Sequence, residues 1–391
     1  MNYQQKENQI LFKYIKDKFN ALFDCYGYDE ITLPLFEAYE KFKRYRAVDE
    51  NTLLKLIDRA GNILVLRPDA TFHVLKTVET FEEKIERCYY ITNIFRFRDN
   101  DFEKNDTLQA GCELFGSPAP YADIEVINLA IESLRVLDIE NIHIDIGHSK
   151  FVHTFLKEIG IREFREISHY HGLVDNKNLI ALEEELSARG TSKKNIRQLC
   201  DIAMLFGEYD ATMAKAYDVC INAKMEENLQ QIQAIYDGLK AVGSHPYVRL
   251  DLGFSNPMNY YTGMIFKGYV SGYGENIISG GRYDTLARQF ADLPYACGFG
   301  HNIDAILDIL LKRQAAPAYK PAVCVSGEDY YAAAVLCNEL HKRNIRSILS
   351  EPRTGMPALI VCDKAVKVID ENGEYNTTVE KILSGEGGIL C

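Results

Sequence analysis

The sequence predicts an α+β protein, an antiparallel sheet with flanking helices, carrying a helical insertion and ending in a small C-terminal α/β domain. Three observations lead there. Apolar runs of strand length recur over 53–115 and again over 247–279, joined by a short turn at 59–61 and a long acidic loop at 99–106, which suits antiparallel pairing. Between them, roughly 150–242 contains almost only helical periods. After the linker-like stretch Ala315-Ala316-Pro317-Ala318-Tyr319-Lys320-Pro321, strand and helix patterns alternate to the end. The expected boundaries are therefore a core over 1–314, with the insertion at about 150–245, and a second domain over 322–391.

The elements follow in order. Ile10, Leu11, Tyr14, Ile15, Phe19, Leu22 and Phe23 recur at helical intervals over 4–26, and Gly27 breaks the pattern. Residues 28–36 are β-branched around Pro34, which suggests an edge or interface strand. Two apolar runs, 53–58 and 62–67, flank an Arg-Ala-Gly turn and read as a hairpin. Strands are expected at 88–98 and 107–115, joined by a polar, acidic loop over 99–106. A helix at 122–137 and a strand at 141–147 lead into the insertion. Strands at 247–253, 260–270 and 275–279, a helix at 283–290 and another after Asn302 complete the core. The second domain reads as strand 322–326, helix 330–343 and strands 345–349 and 358–362.

Composition narrows the function. With 391 residues, 47% hydrophobic and 26% charged, the chain has a globular composition. Its net charge of −12 has the wrong sign for bulk nucleic-acid binding. The opening Met1–Glu7 runs into an amphipathic pattern and does not read as a secretory leader, and no apolar stretch approaches the roughly 20 residues of a membrane span. Ten cysteines stand singly with no C-x-x-C pair, as free thiols do in a reducing, cytoplasmic compartment. His169 and His171 lack the partners of a zinc set, so neither a metal nor a cofactor is expected.

Several stretches hold polar residues that strand patterning does not ask for. They are Arg67-Pro68-Asp69-Ala70-Thr71, Phe95-Arg96-Phe97-Arg98, Gln109-Ala110-Gly111-Cys112-Glu113, Asn259-Tyr260-Tyr261-Thr262-Gly263 and Gly280-Gly281-Arg282-Tyr283-Asp284. Gln109 and Glu113, four apart on a strand, share one face, with Gly111 between them leaving open space above the sheet. Such a floor suits a small polar ligand; the plainer alternative is a wet sheet face in which both side chains are satisfied. Arg282, His301 and the acidic loop have plain readings too: a helix-start contact, a surface histidine and a solvated turn.

Taken together, these stretches resemble the histidyl-tRNA synthetase catalytic core over most of 5–310, and so imply a class II aminoacyl-tRNA synthetase-like fold. Pro34, in Ile31-Thr32-Leu33-Pro34-Leu35-Phe36-Glu37, is similar to the first, dimer-forming motif, and Phe95-Arg96 through Glu113 to the second. The resemblance implies that Asp69, Thr71 and Gln109 hold the α-ammonium of histidine, as acceptors suit a cation with three donors. It implies that Glu113 and Tyr261 read the imidazole. Arg96, what survives of the nucleotide clamp, and Tyr260 complete the expected histidine-binding set.

The departures redirect the function. Asn256 stands where the synthetases carry an arginine that helps form the adenylate, and Ala305 stands where their third motif ends in another. Without those charges the transition state loses fixed cations. The 99–106 loop is negative where ATP and the tRNA end would sit, and residues 320–391 hold eight basic residues against ten acidic ones, unlike an RNA reader. The run Leu250-Asp251-Leu252-Gly253-Phe254-Ser255-Asn256-Pro257-Met258-Asn259-Tyr260-Tyr261-Thr262-Gly263 resembles more closely the regulatory-subunit family of short-form ATP phosphoribosyltransferase. That resemblance implies a non-catalytic chain whose partner is the short-form catalytic subunit and whose effector is L-histidine. It also implies a class II-like dimer within a hetero-octamer, with neither nucleic acid nor membrane as a partner. A true histidyl-tRNA synthetase is the enzyme-class alternative, and a synthetase-like RNA-binding module a third.

Overall fold

A computed structural model describes residues 3–42, 50–78, 86–97, 105–254, 260–313, 323–353, 356–362, 365–370 and 373–384. The chain divides into two compact units, residues 1–315 and 316–391. The first begins with α1 (Tyr3–Cys25). Leu11, Ile15, Phe19 and Phe23, spaced by four, make one buried face of it. The helix ends where Gly27 takes a left-handed φ of 76° and the Tyr28 N–H bonds back to Phe23 O.

Short β1 (Asp29–Glu30), β2 (Phe36–Ala38), α2 (Tyr39–Phe42), β3 (Lys55–Ile57) and β4 (Ile63–Leu66) follow, then α3 (Ala70–Val78). The expected hairpin is present: β3 pairs antiparallel with β4, and β2 joins them in a three-stranded sheet. A single strand over 28–36 is not. Pro34 has no N–H to donate, and the chain around it turns instead. Buried Arg67 fixes that turn, donating from Nη1 to Leu33 O at 2.9 Å and Pro34 O at 2.7 Å.

The site rests on β5 (Glu86–Phe95) and β6 (Asp106–Phe115), which run antiparallel in register from Glu86 opposite Phe115 to Phe95 opposite Asp106. Next come α4 (Tyr121–Arg135) and β7 (Ile142–His148). The insertion comprises α5 (Phe151–Glu158), α6 (Phe164–Asp175), α7 (Leu179–Ala188), α8 (Lys193–Ala203), β8 (Phe206–Glu208), α9 (Tyr209–Asp218) and α10 (Ala223–Ala241). It is not purely helical, because β8 pairs antiparallel with β9 (Val248–Asp251) and ends the main sheet. The sheet continues with β10 (Met264–Val270) and β11 (Ile278–Arg282), then α11 (Asp284–Ala291), β12 (Ala296–Asn302) and α12 (Ile303–Lys312).

Nine strands in the order β1-β5-β6-β12-β11-β10-β7-β9-β8 form this sheet, antiparallel except for β1 beside β5 and β7 beside β9. One face is covered by α4, whose buried Val126, Ile127, Ala130, Ile131 and Leu134 line a helical stripe, and by α1, whose Phe19 ring lies 5.2 Å from that of His301. Burying each such side chain contributes about 1.5–3 kcal/mol. His301 is thus no surface residue: it is fully buried, with Nε2 2.7 Å from Ser133 Oγ.

Sequence patterning passed over α3 and β12 and placed β11 three residues early. In β11 and β12 the cause is glycine, whose strand propensity is poor. Gly280 and Gly281 pair across the sheet with Phe299 and Gly298. A Cβ on Gly280 would come within 2.5 Å of the Phe266 ring, and one on Gly281 within 2.7 Å of Tyr261. Packed rings, rather than local preference, keep these strands glycine-rich.

The second unit has a five-stranded sheet built from β13 (Val323–Gly327), β14 (Ser347–Leu349), β15 (Ala358–Cys362), β16 (Ala365–Asp370) and β17 (Gly373–Thr377). Its order is β14-β13-β15-β16-β17, parallel through the first three strands and antiparallel beyond. The hairpin β16–β17 and the terminal helix α14 (Val379–Ser384) were not read from the sequence, whereas α13 (Tyr330–Lys342) was. Leu336 and Leu340 of α13 pack with Val325, Leu359 and Val366. Among the described residues no helix is long and apolar enough to cross a membrane, and no cluster of three or more His, Cys, Asp or Glu could hold a metal ion. Ala315–Pro321 lies wholly outside the described residues, as do Asn256 and the 99–104 part of the acidic loop.

Candidate functional site

The strand alternation of β6 puts Gln109, Gly111 and Glu113 on one face. Opposite them across the antiparallel pairing stand Asn302, Gly300 and Gly298 of β12. Two of these glycines are required by close approach: a Cβ on Gly298 would lie 1.8 Å from Glu113 Oε2, and one on Gly300 2.7 Å from Gln109 Nε2. The long polar side chains of β6 therefore lie flat over a glycine floor contributed by β12. Gly111 does not leave open space as expected, because Tyr90 fills it; a Cβ there would meet Tyr90 Oη at 2.3 Å. That phenol donates to Gln109 Oε1 at 3.1 Å and fixes the amide.

Glu113 is 2% exposed, so the face is not wet. Its Oε1 accepts from Thr71 Oγ1 at 2.9 Å and its Oε2 from the Tyr283 hydroxyl. Burial pushes the carboxyl up to about 8, against the opposing pull of these two donors. Each oxygen keeps a further lone pair for a ligand.

Asp69 precedes α3 and accepts the Thr71 N–H at 2.8 Å, the hydrogen bond of a helix N-cap. Burial raises its pKa above the ordinary carboxylate value, while Arg96 and Thr71 pull it back. Arg96 donates from Nε to Pro68 O at 2.8 Å and places Nη2 3.5 Å from Asp69 Oδ2. It thus braces the turn that carries Asp69. Tyr260 and Tyr261 pack with ring centroids 4.7 Å apart, and Tyr260 meets the Tyr283 ring edge-on at 5.8 Å.

One cavity of about 450 Å³, within the range of small-molecule sites, brings the whole expected set together. Asp69, Thr71 and Arg96 line it with Gln109 and Glu113, and Tyr260 and Tyr261 close it. Sequence reasoning missed Tyr90, Tyr283 and the Gly298–Gly300 floor as parts of the site. The signal for Tyr283 lay in the Gly-Gly-Arg-Tyr-Asp stretch; the others had none at the level of local pattern. Arg282, by contrast, is structural: Nε lies 2.9 Å from Asp123 Oδ1 and Nη1 3.1 Å from Asp284 Oδ1, all buried or nearly so. Ala305 occupies the first turn of α12, buried and capped by Asn302 Oδ1, and presents no charge.

The antiparallel sheet, its flanking helices and this cavity define a histidyl-tRNA synthetase-like protein, and residues 10–306 match the histidyl-tRNA synthetase family. The fold is shared with a histidyl-tRNA synthetase from Nostoc sp. PCC 7120, at a TM-score of 0.80 and 17% identity over 98% of this chain and 96% of that one. A solved ATP phosphoribosyltransferase regulatory subunit/histidyl-tRNA synthetase from Bacillus halodurans C matches at a TM-score of 0.79 and 27% identity over 90% of both. In sequence, the ATP phosphoribosyltransferase regulatory subunit of Clostridium novyi (strain NT) is 36% identical over 77% of this chain and 74% of its own. That of Acetivibrio thermocellus is 30% identical over 98% and 89%. The chain belongs to the ATP phosphoribosyltransferase regulatory subunit family.

Proposed function

We propose that this chain is a non-catalytic regulatory subunit that activates the short-form catalytic subunit of ATP phosphoribosyltransferase and conveys feedback inhibition by L-histidine. The observation that carries the reading is the buried Glu113 carboxyl facing a cavity that also holds Asp69, Gln109 and Tyr261. The α-ammonium finds acceptors in Asp69 and Gln109, and Arg96 offers a cation to the α-carboxylate. Glu113 and Tyr261 can serve the two imidazole nitrogens, and a ring without them would leave buried groups unpaired.

A ligand regulates only by binding two states of an assembly unequally, so histidine held here favours the form in which the partner is less active. Self-association as a class II-like dimer, within a hetero-octamer, is part of the reading. The exposed apolar side chains of Leu35, Phe36, Ile57 and Ile63, on and beside the three-stranded sheet, support it. Free, mostly buried thiols suit a cytoplasmic protein. Asn256 and Ala305 in place of two arginines leave adenylation without its cations.

The test mixes this protein with the short-form catalytic subunit. Phosphoribosyl transfer should rise on mixing and fall again with L-histidine, and the chain alone should show no histidine-dependent exchange of pyrophosphate into ATP. Losing two transition-state cations, each worth about 3 kcal/mol, lowers such exchange by on the order of 10⁴-fold. Separate elution at micromolar concentration with an unchanged transfer rate, or robust exchange, would overturn the proposal.

A further inference from the structure

A second cavity, of about 730 Å³, shares Tyr261 with the first and is otherwise lined by the insertion, by the two residues that follow β7 and by Ile265 of β10. Its charge is opposite to that of the chain. Lys150, Lys157 and Lys224 line it, and none of the three has an ion pair among the described residues, in a protein of net charge −12. Glu158, the one carboxylate in the lining, already accepts from Asn222 Nδ2 at 3.1 Å. Burial and the neighbouring Lys224 hold the Lys150 ammonium below its usual range. Three cations against one lining carboxylate leave a net positive cavity that favours an anionic occupant.

The backbone adds to this field. The first turn of α5 lines the cavity and has no side-chain cap, so its free N–H groups and the positive end of the helix add to the lysines. Ser149 Oγ, shielded from solvent in the same lining, has no hydrogen-bond partner. A bound acceptor would satisfy it.

We propose that this cavity binds a phosphorylated small molecule. Planar carboxylates are usually gripped by arginine forks, and none is present in the lining; three lysines, as point charges, suit a tetrahedral, multiply charged group. The volume far exceeds that of a bare ion, and Phe164, Ile167 and Ile265 offer apolar wall to an organic body. A nucleic acid would call for a basic face extending beyond one concavity. The site stands independently of the histidine reading, since none of its lysines touches that cavity.

The experiment titrates the full chain with inorganic pyrophosphate by calorimetry, first at low and then at physiological salt. One site per chain is expected, and Lys150→Ala and Lys224→Ala should each weaken it by about tenfold, the loss of one charge-assisted hydrogen bond. Lys342→Ala, on the exposed face of α13, should leave it unchanged and so exclude a general charge effect. Circular dichroism confirms that each variant is folded. No heat up to millimolar pyrophosphate would overturn the proposal, as would equal weakening by Lys342→Ala. A single-stranded RNA bound more tightly than pyrophosphate would assign the lysines to nucleic acid instead.

Discussion

Replacing Glu113 by glutamine tests the histidine reading through its protons. The carboxyl is buried, and that burial raises its pKa to about 8. Free histidine loses its ring proton near 6.5. In the complex the imidazole and Glu113 share one proton, whichever atom carries it. Below about pH 6.5 both partners begin protonated, so binding releases a proton and affinity falls as the medium becomes more acidic. Between about 6.5 and 8 the carboxyl is protonated and the ring neutral, no proton is exchanged, and affinity is greatest. Above about 8 both start deprotonated, and binding must take one up. Affinity then falls about tenfold, or 1.36 kcal/mol, per pH unit. Calorimetry in pairs of buffers with different ionisation heats counts these protons directly. Glu113→Gln cannot titrate, so it should lose the limb that begins near 8, and affinity at the plateau should drop by about 1–3 kcal/mol. The α-ammonium of histidine also loses its proton in base, so a later limb remains in either protein; histidine affinity that stays flat to pH 9.5, or a limb that still begins near 8 after the substitution, would refute this account of the site.

The remaining predictions are more local. Gly300→Ala pushes a Cβ to 2.7 Å from Gln109 Nε2, so it should weaken histidine binding while leaving the thermal midpoint nearly unchanged; the same midpoint with the same affinity would deny Gln109 a role. Asp123→Ala leaves the buried Arg282 guanidinium with Asp284 alone and should cost about 1.5–3 kcal/mol in urea unfolding, the loss of a buried charge-assisted hydrogen bond. His301 is buried and neutral, its pKa lowered to about 3 by burial, so the unfolded chain binds a proton below about 6.5 that the folded one refuses. Stability should therefore fall as pH drops from 6.5 towards 4. His301→Phe, which leaves Ser133 bonded to Leu129 O, should flatten that slope in thermal melts.

The amino-acid sequence alone carries the alternation that makes β5 and β6 strands, the apolar stripe of α1, and the order of polar stretches by which the family is recognised. These are local or linear properties, readable wherever period and residue type agree. It also determined which side chains to gather: Asp69, Glu113 and Tyr261 meet in one cavity although nearly two hundred positions separate the first from the last. How they meet is set by packing. Tyr90 lies over Gly111, Tyr283 reaches Glu113 from 170 residues away, and β12 supplies glycines because Glu113 and Gln109 need the room. No local pattern encodes a strand whose residues are chosen for what they leave out. The same holds for His301, which looks like a polar surface residue until α1 and α4 close over it, and for three lysines of α5 and α10 that become a cavity only when the insertion folds back on the sheet. Burial and proximity are properties of the packed chain, and they set the charge state of Glu113 as surely as its identity does.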